Sequence, residues 1–164
     1  MVGAILLLTV GLLWVVVPTL QVRIIDVGDT APDFSIVTEQ GKTVTRSDFG
    51  GKLLVLNFWA SWCPPCIDEL PSLNQFATEF ASQGVVVLGV SIDKNEKLYR
   101  NFLAQRHVTF ATARDPESNI SASYGTFQIP ESYLIDRNGK VLEKEISNID
   151  WLDPVFLQRV KRML

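Results

Sequence analysis

Cysteine and histidine are scarce in this sequence of 164 residues, which has only Cys63, Cys66 and His107. Both cysteines belong to one motif, so the fold does not depend on a framework of disulfides. A zinc site with four protein ligands from one chain is not expected, because its usual ligands are cysteine and histidine and too few are present. The sequence therefore predicts no metal site and leaves the two cysteines for another use.

Basic runs with interleaved aromatic residues are also absent, and the formal net charge is −3. Nucleic-acid binding is not predicted, because it depends on clustered lysine and arginine side chains. We find no internal repeat and no low-complexity segment. Hydrophobic residues make up 47% of the chain and charged residues 20%, which is typical of a globular protein. The length allows one domain and an appendage.

A long uncharged hydrophobic run occurs from Val2 to Leu20, close to the roughly 20 residues that a membrane-spanning helix needs. Its two glycines and one proline would be costly in a soluble helix but are tolerated in membrane spans, so a buried core helix is the weaker interpretation. No small-x-small cleavage pattern ends the run, which favours an uncleaved anchor over a signal peptide. We predict a transmembrane anchor over residues 1–22 and a folded domain over residues 23–164.

The charges that flank this run do not define the orientation of the anchor. No lysine or arginine lies between Met1 and the run, whereas Arg23 follows it. The positive-inside rule therefore gives no support for placing the domain on the outer side of the membrane.

The most informative stretch runs from Leu53 to Pro71, LLVLNFWASWCPPCIDELP. It begins as an apolar strand and reaches Cys63-Pro64-Pro65-Cys66 at the predicted start of a helix. A C-x-x-C motif in this context is typical of a redox-active dithiol. Unpaired backbone N–H groups and the helix dipole stabilise a thiolate there, and proline is tolerated because its missing N–H is not needed. We predict that Cys63 is the exposed nucleophile and that Cys66 is the shielded resolving thiol.

A structural disulfide is the main alternative for these two cysteines. A bridge across so short a loop would constrain the unfolded chain very little, and so would stabilise the fold very little. Redox chemistry is therefore the favoured interpretation.

Strand and helix patterns alternate along the rest of the chain. Strands are predicted at Ala31–Val37, Thr43–Thr45, Val85–Ile92 and Val108–Ala113. A tight hairpin is predicted at Asn138-Gly139. One amphipathic helix is predicted over residues 95–106, with Leu98, Phe102 and Leu103 on its apolar face. A second is predicted at the C-terminus, where Asp150 or Asp153 caps it and Val155, Phe156 and Val160 turn inward. This order predicts an α/β sandwich with a mixed central sheet.

The segments Phe58–Cys66 and Glu69–Pro71 resemble the active-site region of the TlpA/ResA/CcmG (DsbE) group of membrane-tethered thiol–disulfide oxidoreductases. Gly28–Phe34, GDTAPDF, resembles an entry motif that this group shares with AhpC/TSA peroxiredoxins, although the peroxiredoxin nucleophile motif is absent. The resemblance covers about residues 28–146. It implies a thioredoxin-like three-layer sandwich with a mixed central sheet, an N-terminal β-hairpin extension and an N-terminal transmembrane helix.

The resemblance also implies roles for single residues. Ile129-Pro130 matches a cis-proline loop that faces the dithiol and binds an extended substrate. Glu69 matches an acidic residue that tunes the thiols, where a partly buried carboxylate would have a raised pKa and could relay a proton from Cys66. A solvated carboxylate at a helix start is the alternative for Glu69. Asn57 takes the place of the buried aspartate of thioredoxin, which shifts the acid–base role onto Glu69.

Further residues of the motif are expected to shape the contact with substrate. Trp62 is expected to be an exposed contact surface together with Pro64, and Trp59 is expected to be core. The group more often carries Glu-Pro, Val-Pro or Pro-Thr between the cysteines. Since these residues help to set the redox potential, Pro64-Pro65 does not fix the direction of the reaction. Pro-Pro also occurs in tryparedoxin-like cytosolic proteins, which keeps a second compartment open.

Taken together, the residues and the resemblance lead us to expect a membrane-anchored, extracytoplasmic oxidoreductase with no cofactor beyond the Cys63–Cys66 disulfide. By resemblance it would reduce protein disulfides, with apocytochrome c as a favoured substrate and a membrane protein as electron donor. A disulfide oxidase or isomerase for secreted proteins is one alternative. A tethered binding module with a structural disulfide is the other.

Overall fold

The computed structural model describes residues 23–164, so the predicted transmembrane anchor over residues 1–22 lies outside the described residues. Within residues 23–164 we find no helix with both the length and the apolarity needed to cross a membrane. The described part of the chain contains strands β1 (Ser35–Val37), β2 (Thr43–Thr45), β3 (Leu53–Trp59), β4 (Val85–Ser91), β5 (Ala111–Arg114), β6 (Glu131–Ile135) and β7 (Val141–Ile146), and helices α1 (Pro64–Phe80), α2 (Glu96–Arg106), α3 (Asn119–Ser123) and α4 (Pro154–Met163).

The motif strand β3 is the centre of a five-stranded sheet with the order β5-β4-β3-β6-β7. It runs parallel to β4 and antiparallel to β6, which confirms the predicted mixed sheet. Side chains alternate along a strand, and all seven residues of β3 are buried. Leu53 and Val55 therefore pack into the cluster under α1 and α4, whereas Leu54, Leu56 and Phe58 pack into the cluster on the opposite face.

The sheet is covered on both faces, which gives the predicted three-layer sandwich. On one face, the Phe76 ring of α1 lies 5.4 Å from Trp151 and 5.9 Å from Phe156, measured between ring centroids. On the other face, the Phe58 ring lies 5.4 Å from Tyr124 and 6.1 Å from Tyr133. The carboxyl end of β3 and the start of α1 are thus held by packing on both sides.

The predicted N-terminal hairpin is confirmed, since β1 and β2 form a separate antiparallel sheet. Its first strand begins at Ser35 and not at Ala31. Thr30 bridges to Lys140, and the Ala31 N–H donates to the Gly139 carbonyl at 2.8 Å. The residues before Ser35 are therefore taken up by the β6–β7 connection, which shortens β1.

The tight hairpin predicted at Asn138-Gly139 is confirmed, because the Asp136 N–H donates to the Lys140 carbonyl and the Gly139 N–H donates to the Asp136 carbonyl, both at 2.9 Å. The carboxylate of Asp136 accepts the N–H groups of Asn138 and Lys140, both at 2.8 Å. Gly139 takes a positive φ of 83°, which suits glycine. The aspartate thus stabilises the predicted turn.

Two side chains that the helical patterns turned inward are exposed in the structure. Leu98 is 59% exposed and Val155 is 62% exposed, so both predictions are wrong. In α2, the fully buried residue is the neighbouring Tyr99. In α4, Phe156 and Val160 are buried as predicted, and their four-residue spacing places Val155 outside that face.

Two predicted boundaries are settled by side-chain hydrogen bonds. Asp153, and not Asp150, caps α4, because its carboxylate accepts the N–H groups of the second and third helical residues at 2.9 Å. The strand predicted from Val108 begins only at Ala111. The Thr109 N–H donates instead to Asn74 Oδ1 of α1 at 2.9 Å, so this part of the chain follows the helix before it joins the sheet.

Candidate active site

The two cysteines lie where β3 turns into α1, as the motif predicts. Cys63 is the N-cap of α1, and the backbone N–H of Cys66 donates to its sulfur at an N–S distance of 3.3 Å. The two residues are joined in a disulfide with a Cα–Cα distance of 5.3 Å. Pro64 occupies the first helical position, where a missing N–H costs nothing. The start of the helix therefore directs the Cys66 N–H at the Cys63 sulfur, which favours a thiolate there after reduction.

Burial does not distinguish the two cysteines. Cys63 is 4% exposed and Cys66 is 5% exposed, so the prediction that Cys63 is the exposed thiol is wrong. Trp59, Ala60 and the partly buried Ile129 pack in the same cluster as both sulfurs, and they cover Cys63 as well as Cys66. The exposed surface at the dithiol is formed by the residues on either side of Cys63.

Of these exposed residues, Trp62 is the larger, with 63% of its surface accessible, and Pro64 is exposed beside it. Trp59 is 4% exposed, and its ring packs 5.4 Å from Phe102 and 5.9 Å from Tyr99. The expected division between an exposed and a core tryptophan is confirmed. The roles of Trp62 and Pro64 in substrate binding stay predictions.

The second predicted segment, Ile129-Pro130, faces the disulfide. Its peptide bond is cis, as the resemblance implies. The Ile129 carbonyl oxygen lies 3.6 Å from Cys63 Sγ, although the two residues are 66 positions apart. Fold closure thus brings the loop against the sulfur that caps α1.

Glu69 is buried close to the dithiol, with 3% of its surface exposed. Asn57 Nδ2 donates to its Oε1 at 3.0 Å, and Trp151 Nε1 donates to its Oε2 at 3.3 Å. Burial raises the pKa of this carboxyl to about 7, and the hydrogen bonds from Asn57 and Trp151 oppose the rise only in part. The alternative of a solvated carboxylate is therefore wrong.

The carboxyl of Glu69 shares a helix face with the second cysteine. Residues three apart on a helix have Cβ atoms about 5–6 Å from one another, which places Glu69 next to Cys66. Asn57 also donates to Ser132 Oγ at 2.9 Å, so β3, α1 and β6 are linked through one buried amide. A group that titrates near neutral pH beside the resolving thiol can exchange a proton during the reaction.

Sequence reasoning missed three residues of this region. Trp151 is 82 positions from Glu69, and no local pattern indicates that contact. Phe127 is 74% exposed. An aromatic residue among polar neighbours just before Ile129-Pro130 is a sequence signal that indicates a contact residue beside this loop. Lys144 is 8% exposed, and its Nζ lies 2.8 Å from Oε1 of Glu131, the residue that follows Pro130.

Phe127 also lines a groove of about 510 Å³. The groove is lined by Arg23, Ile24, Ala122, Ser123, Gly125, Thr126 and Phe127. Among residues 23–164, we find no group of three or more His, Cys, Asp or Glu side chains placed to hold a metal ion.

Comparison with known proteins places this site in a family context. The AhpC/TSA family pattern matches residues 27–144. The thiol-disulfide oxidoreductase ResA of Bacillus thuringiensis subsp. konkukian is 34% identical over 119 residues, which are 73% of this chain and 69% of that protein. A ResA of Geobacillus thermodenitrificans is 36% identical over 115 residues, which are 70% of this chain and 66% of that protein.

Solved structures give the same result for the fold. A Chlorobium tepidum protein assigned as thiol:disulfide interchange protein DsbE superposes with a TM-score of 0.79 at 36% identity, covering 85% of this chain and 98% of that one. A Bacteroides thetaiotaomicron protein assigned as a protein disulfide isomerase superposes with a TM-score of 0.76 at 29% identity, covering 86% and 91%. The range that matches the AhpC/TSA family, residues 27–144, includes the dithiol, the helix that it caps and the cis-proline loop.

Proposed function

The chain belongs to the AhpC/TSA family and is a thiol–disulfide oxidoreductase of the ResA and DsbE type, and from this premise we propose that it reduces disulfides in other proteins. The observation that carries the proposal is the position of the disulfide. Cys63 caps α1 and faces the Ile129 carbonyl at 3.6 Å. This arrangement combines a stabilised thiolate with a backbone edge that an extended substrate can pair with.

The proposed reaction transfers two electrons from the dithiol to the substrate. The Cys63 thiolate attacks one sulfur of the substrate disulfide, a mixed disulfide forms, and the other substrate sulfur leaves as a thiolate. The Cys66 thiolate then attacks Cys63 Sγ, which releases the second substrate thiol and leaves the Cys63–Cys66 disulfide. Glu69 accepts the Cys66 proton before this second step, because its pKa near 7 lets it take up and release a proton at neutral pH.

The domain is proposed to work outside the cytoplasm, held to the membrane by residues 1–22. The apolar run from Val2 to Leu20 and the resemblance to membrane-tethered oxidoreductases support this location. A membrane electron-donor protein would reduce the Cys63–Cys66 disulfide after each turnover. The proposed substrate is apocytochrome c, whose haem attachment motif is itself a Cys-x-x-Cys pair followed by histidine.

An oxidase or isomerase is the second candidate. The protein disulfide isomerase assignment of the Bacteroides thetaiotaomicron neighbour favours it, and the Pro64-Pro65 pair does not fix the direction. A tethered module with a purely structural disulfide is no longer a candidate, because the relatives are themselves thiol-disulfide oxidoreductases.

The substrate proposal is tested with Trp62→Ala and Phe127→Ala. We expect each to raise KM for an oxidised peptide with a Cys-x-x-Cys-His motif by about tenfold, which corresponds to about 1.4 kcal/mol of lost contact. KM for oxidised glutathione is expected to change little, because that small disulfide makes fewer contacts outside the dithiol than an extended peptide does. Steady-state reduction assays with dithiothreitol as electron source measure both values.

Val155→Ala is the matched control, since Val155 is also exposed but lies on α4. An equal rise in KM for the peptide and for oxidised glutathione would contradict a substrate-contact role for Trp62 and Phe127. The proposed preference for apocytochrome c would be wrong if the Cys-x-x-Cys-His peptide were reduced no faster than a peptide with the same residues in scrambled order.

A further inference from the structure

A buried carboxylate outside the dithiol holds the loop that carries it. Asp93 follows β4 by two residues and is 2% exposed. Its Oδ2 accepts the Ser61 backbone N–H at 2.8 Å, and its Oδ1 accepts the Ser61 hydroxyl at 2.7 Å. The hydroxyl of Ser91 donates to Oδ2 at 2.6 Å. Three donors therefore converge on one carboxylate, and two of them belong to the loop between β3 and α1.

Ser61 lies one residue before Trp62 and two before Cys63, so its position determines where both of them lie. Within the loop, the Cys63 N–H donates to the Ala60 carbonyl at 3.2 Å. The bonds to Asp93 fix this turn to the end of β4, which runs parallel to β3 with Ser91 opposite Trp59. The loop is thus attached to the neighbouring strand as well as to its own.

Asp93 is itself held from the next strand. Arg114, at the end of β5, donates through Nη1 to the carbonyl oxygens of Asp93 and Lys94 at 3.4 and 3.3 Å. Its Nη2 lies 3.3 Å from Glu96 at the start of α2. The backbone that carries the carboxylate is therefore fixed to the neighbouring strand as well as to β4.

We propose that Asp93 is a positioning residue for thiol–disulfide exchange: it holds Ser61 and thereby sets Cys63 at the N-cap of α1, against the Ile129-Pro130 loop. Charge-assisted hydrogen bonds are stronger than neutral ones, and a carboxylate accepts all three donors without a donor of its own to satisfy. An amide at the same place offers a single acceptor oxygen and directs N–H groups at donors. A positional error of about 1 Å at a reacting group can cost about a hundredfold in rate.

The inference rests on the proposed role of Cys63 as the attacking thiol, and it is tested with Asp93→Asn and Ser61→Ala in the full chain. We expect Asp93→Asn to lower the rate constant for reduction of a protein disulfide by about tenfold. Ser61→Ala, which keeps the backbone N–H bond, is expected to lower it by about threefold. Both variants should move the midpoint of the pH dependence of Cys63 alkylation upward, because the thiolate loses its alignment with the helix start.

Asp115→Asn is the matched control. Asp115 is also buried and also fixes a neighbouring segment, the start of α3, by accepting the N–H groups of Asn119 and Ile120 at 3.1 and 2.8 Å. It follows β5, two strands away from β3. We expect Asp115→Asn to lower the melting temperature about as much as Asp93→Asn while leaving the exchange rate and the alkylation midpoint near those of the unmodified protein.

Three outcomes would overturn the positioning role. The first is an equal exchange rate in Asp93→Asn and Asp115→Asn, and the second is an unchanged pH midpoint of Cys63 alkylation in Ser61→Ala. The third is a fall of that midpoint in Asp93→Asn, which would mean that the carboxylate acts through its charge. If Asp93→Asn does not fold, Ser61→Ala carries the test alone. Failure of the proposed function would be a separate result, because it would appear as reduction of a protein disulfide that continues in Cys63→Ser.

Discussion

Replacement of Cys66 by serine is expected to trap the protein in a covalent complex with its substrate. Cys63 can still attack a substrate disulfide, because it keeps its place at the N-cap of α1 and its contact with the Cys66 N–H. A serine hydroxyl at position 66 cannot attack the mixed disulfide that results. We expect turnover to fall by more than about 10³-fold, the order seen when a reacting nucleophile is removed.

The matched variant is Cys63→Ser, which should lose the same turnover without trapping anything. Non-reducing electrophoresis with an oxidised protein substrate and mass spectrometry of the adduct distinguish the two variants. The assignment of the roles would be reversed if Cys63→Ser formed the stable adduct and Cys66→Ser did not. Similar burial of the two sulfurs makes this comparison informative, since exposure does not decide between them.

The second large effect concerns Glu69 and the dependence of stability on pH. The pKa of this carboxyl is about 7 in the folded protein, against an ordinary value of 4.5. Between these two values the folded state keeps a proton that the unfolded state has lost, so the free energy of unfolding falls as the pH rises. The contribution lost across this window is about 3 kcal/mol.

Glu69→Gln cannot ionise, so we expect its free energy of unfolding to lose about 3 kcal/mol less than that of the unmodified protein between pH 4.5 and 8. Urea denaturation of the oxidised protein at several pH values measures the difference. The change with pH is compared, and not the absolute stability, because the glutamine amide also disturbs the bonds from Asn57 and Trp151. Glu79→Gln, an exposed carboxylate on the same helix, is the control. Parallel pH profiles for Glu69→Gln and the unmodified protein would contradict a raised pKa at Glu69.

The same variant separates the two chemical steps. If Glu69 accepts the Cys66 proton, Glu69→Gln slows release of the mixed disulfide more than its formation. Stopped-flow measurements of both steps at pH 7 decide this. Equal slowing of the two steps would contradict the proton-relay role.

The sequence was most informative where local chemistry determines local structure. The C-x-x-C motif, the buried strand before it and the proline at the first helical position are all local signals, and the structure confirms the strand–turn–helix that they predict. The Ile129-Pro130 loop was identified only through resemblance, because nothing near Pro130 in the sequence indicates that it lies against Cys63.

Contacts between distant segments could not be predicted. The bond from Trp151 to Glu69 and the bonds from Ser61 to Asp93 join residues 82 and 32 positions apart, and hydrophobic periodicity carries no information about such pairs. The predicted exposure of Cys63 was wrong for the same reason, since Ile129 packs with it from a remote loop. The predicted burial of Leu98 and Val155 is wrong because an apolar residue one position outside the buried face of a helix looks the same in the sequence as one on that face.

The most direct measurement of the central claim is the reduction potential of the Cys63–Cys66 pair, equilibrated in glutathione or dithiothreitol buffers. Because we propose a reductant of protein disulfides, we expect a potential near or below that of thioredoxin, about −270 mV. A potential well above that value, near the −180 to −120 mV of disulfide isomerases and oxidases, would contradict the proposed direction and with it the proposed reduction of apocytochrome c.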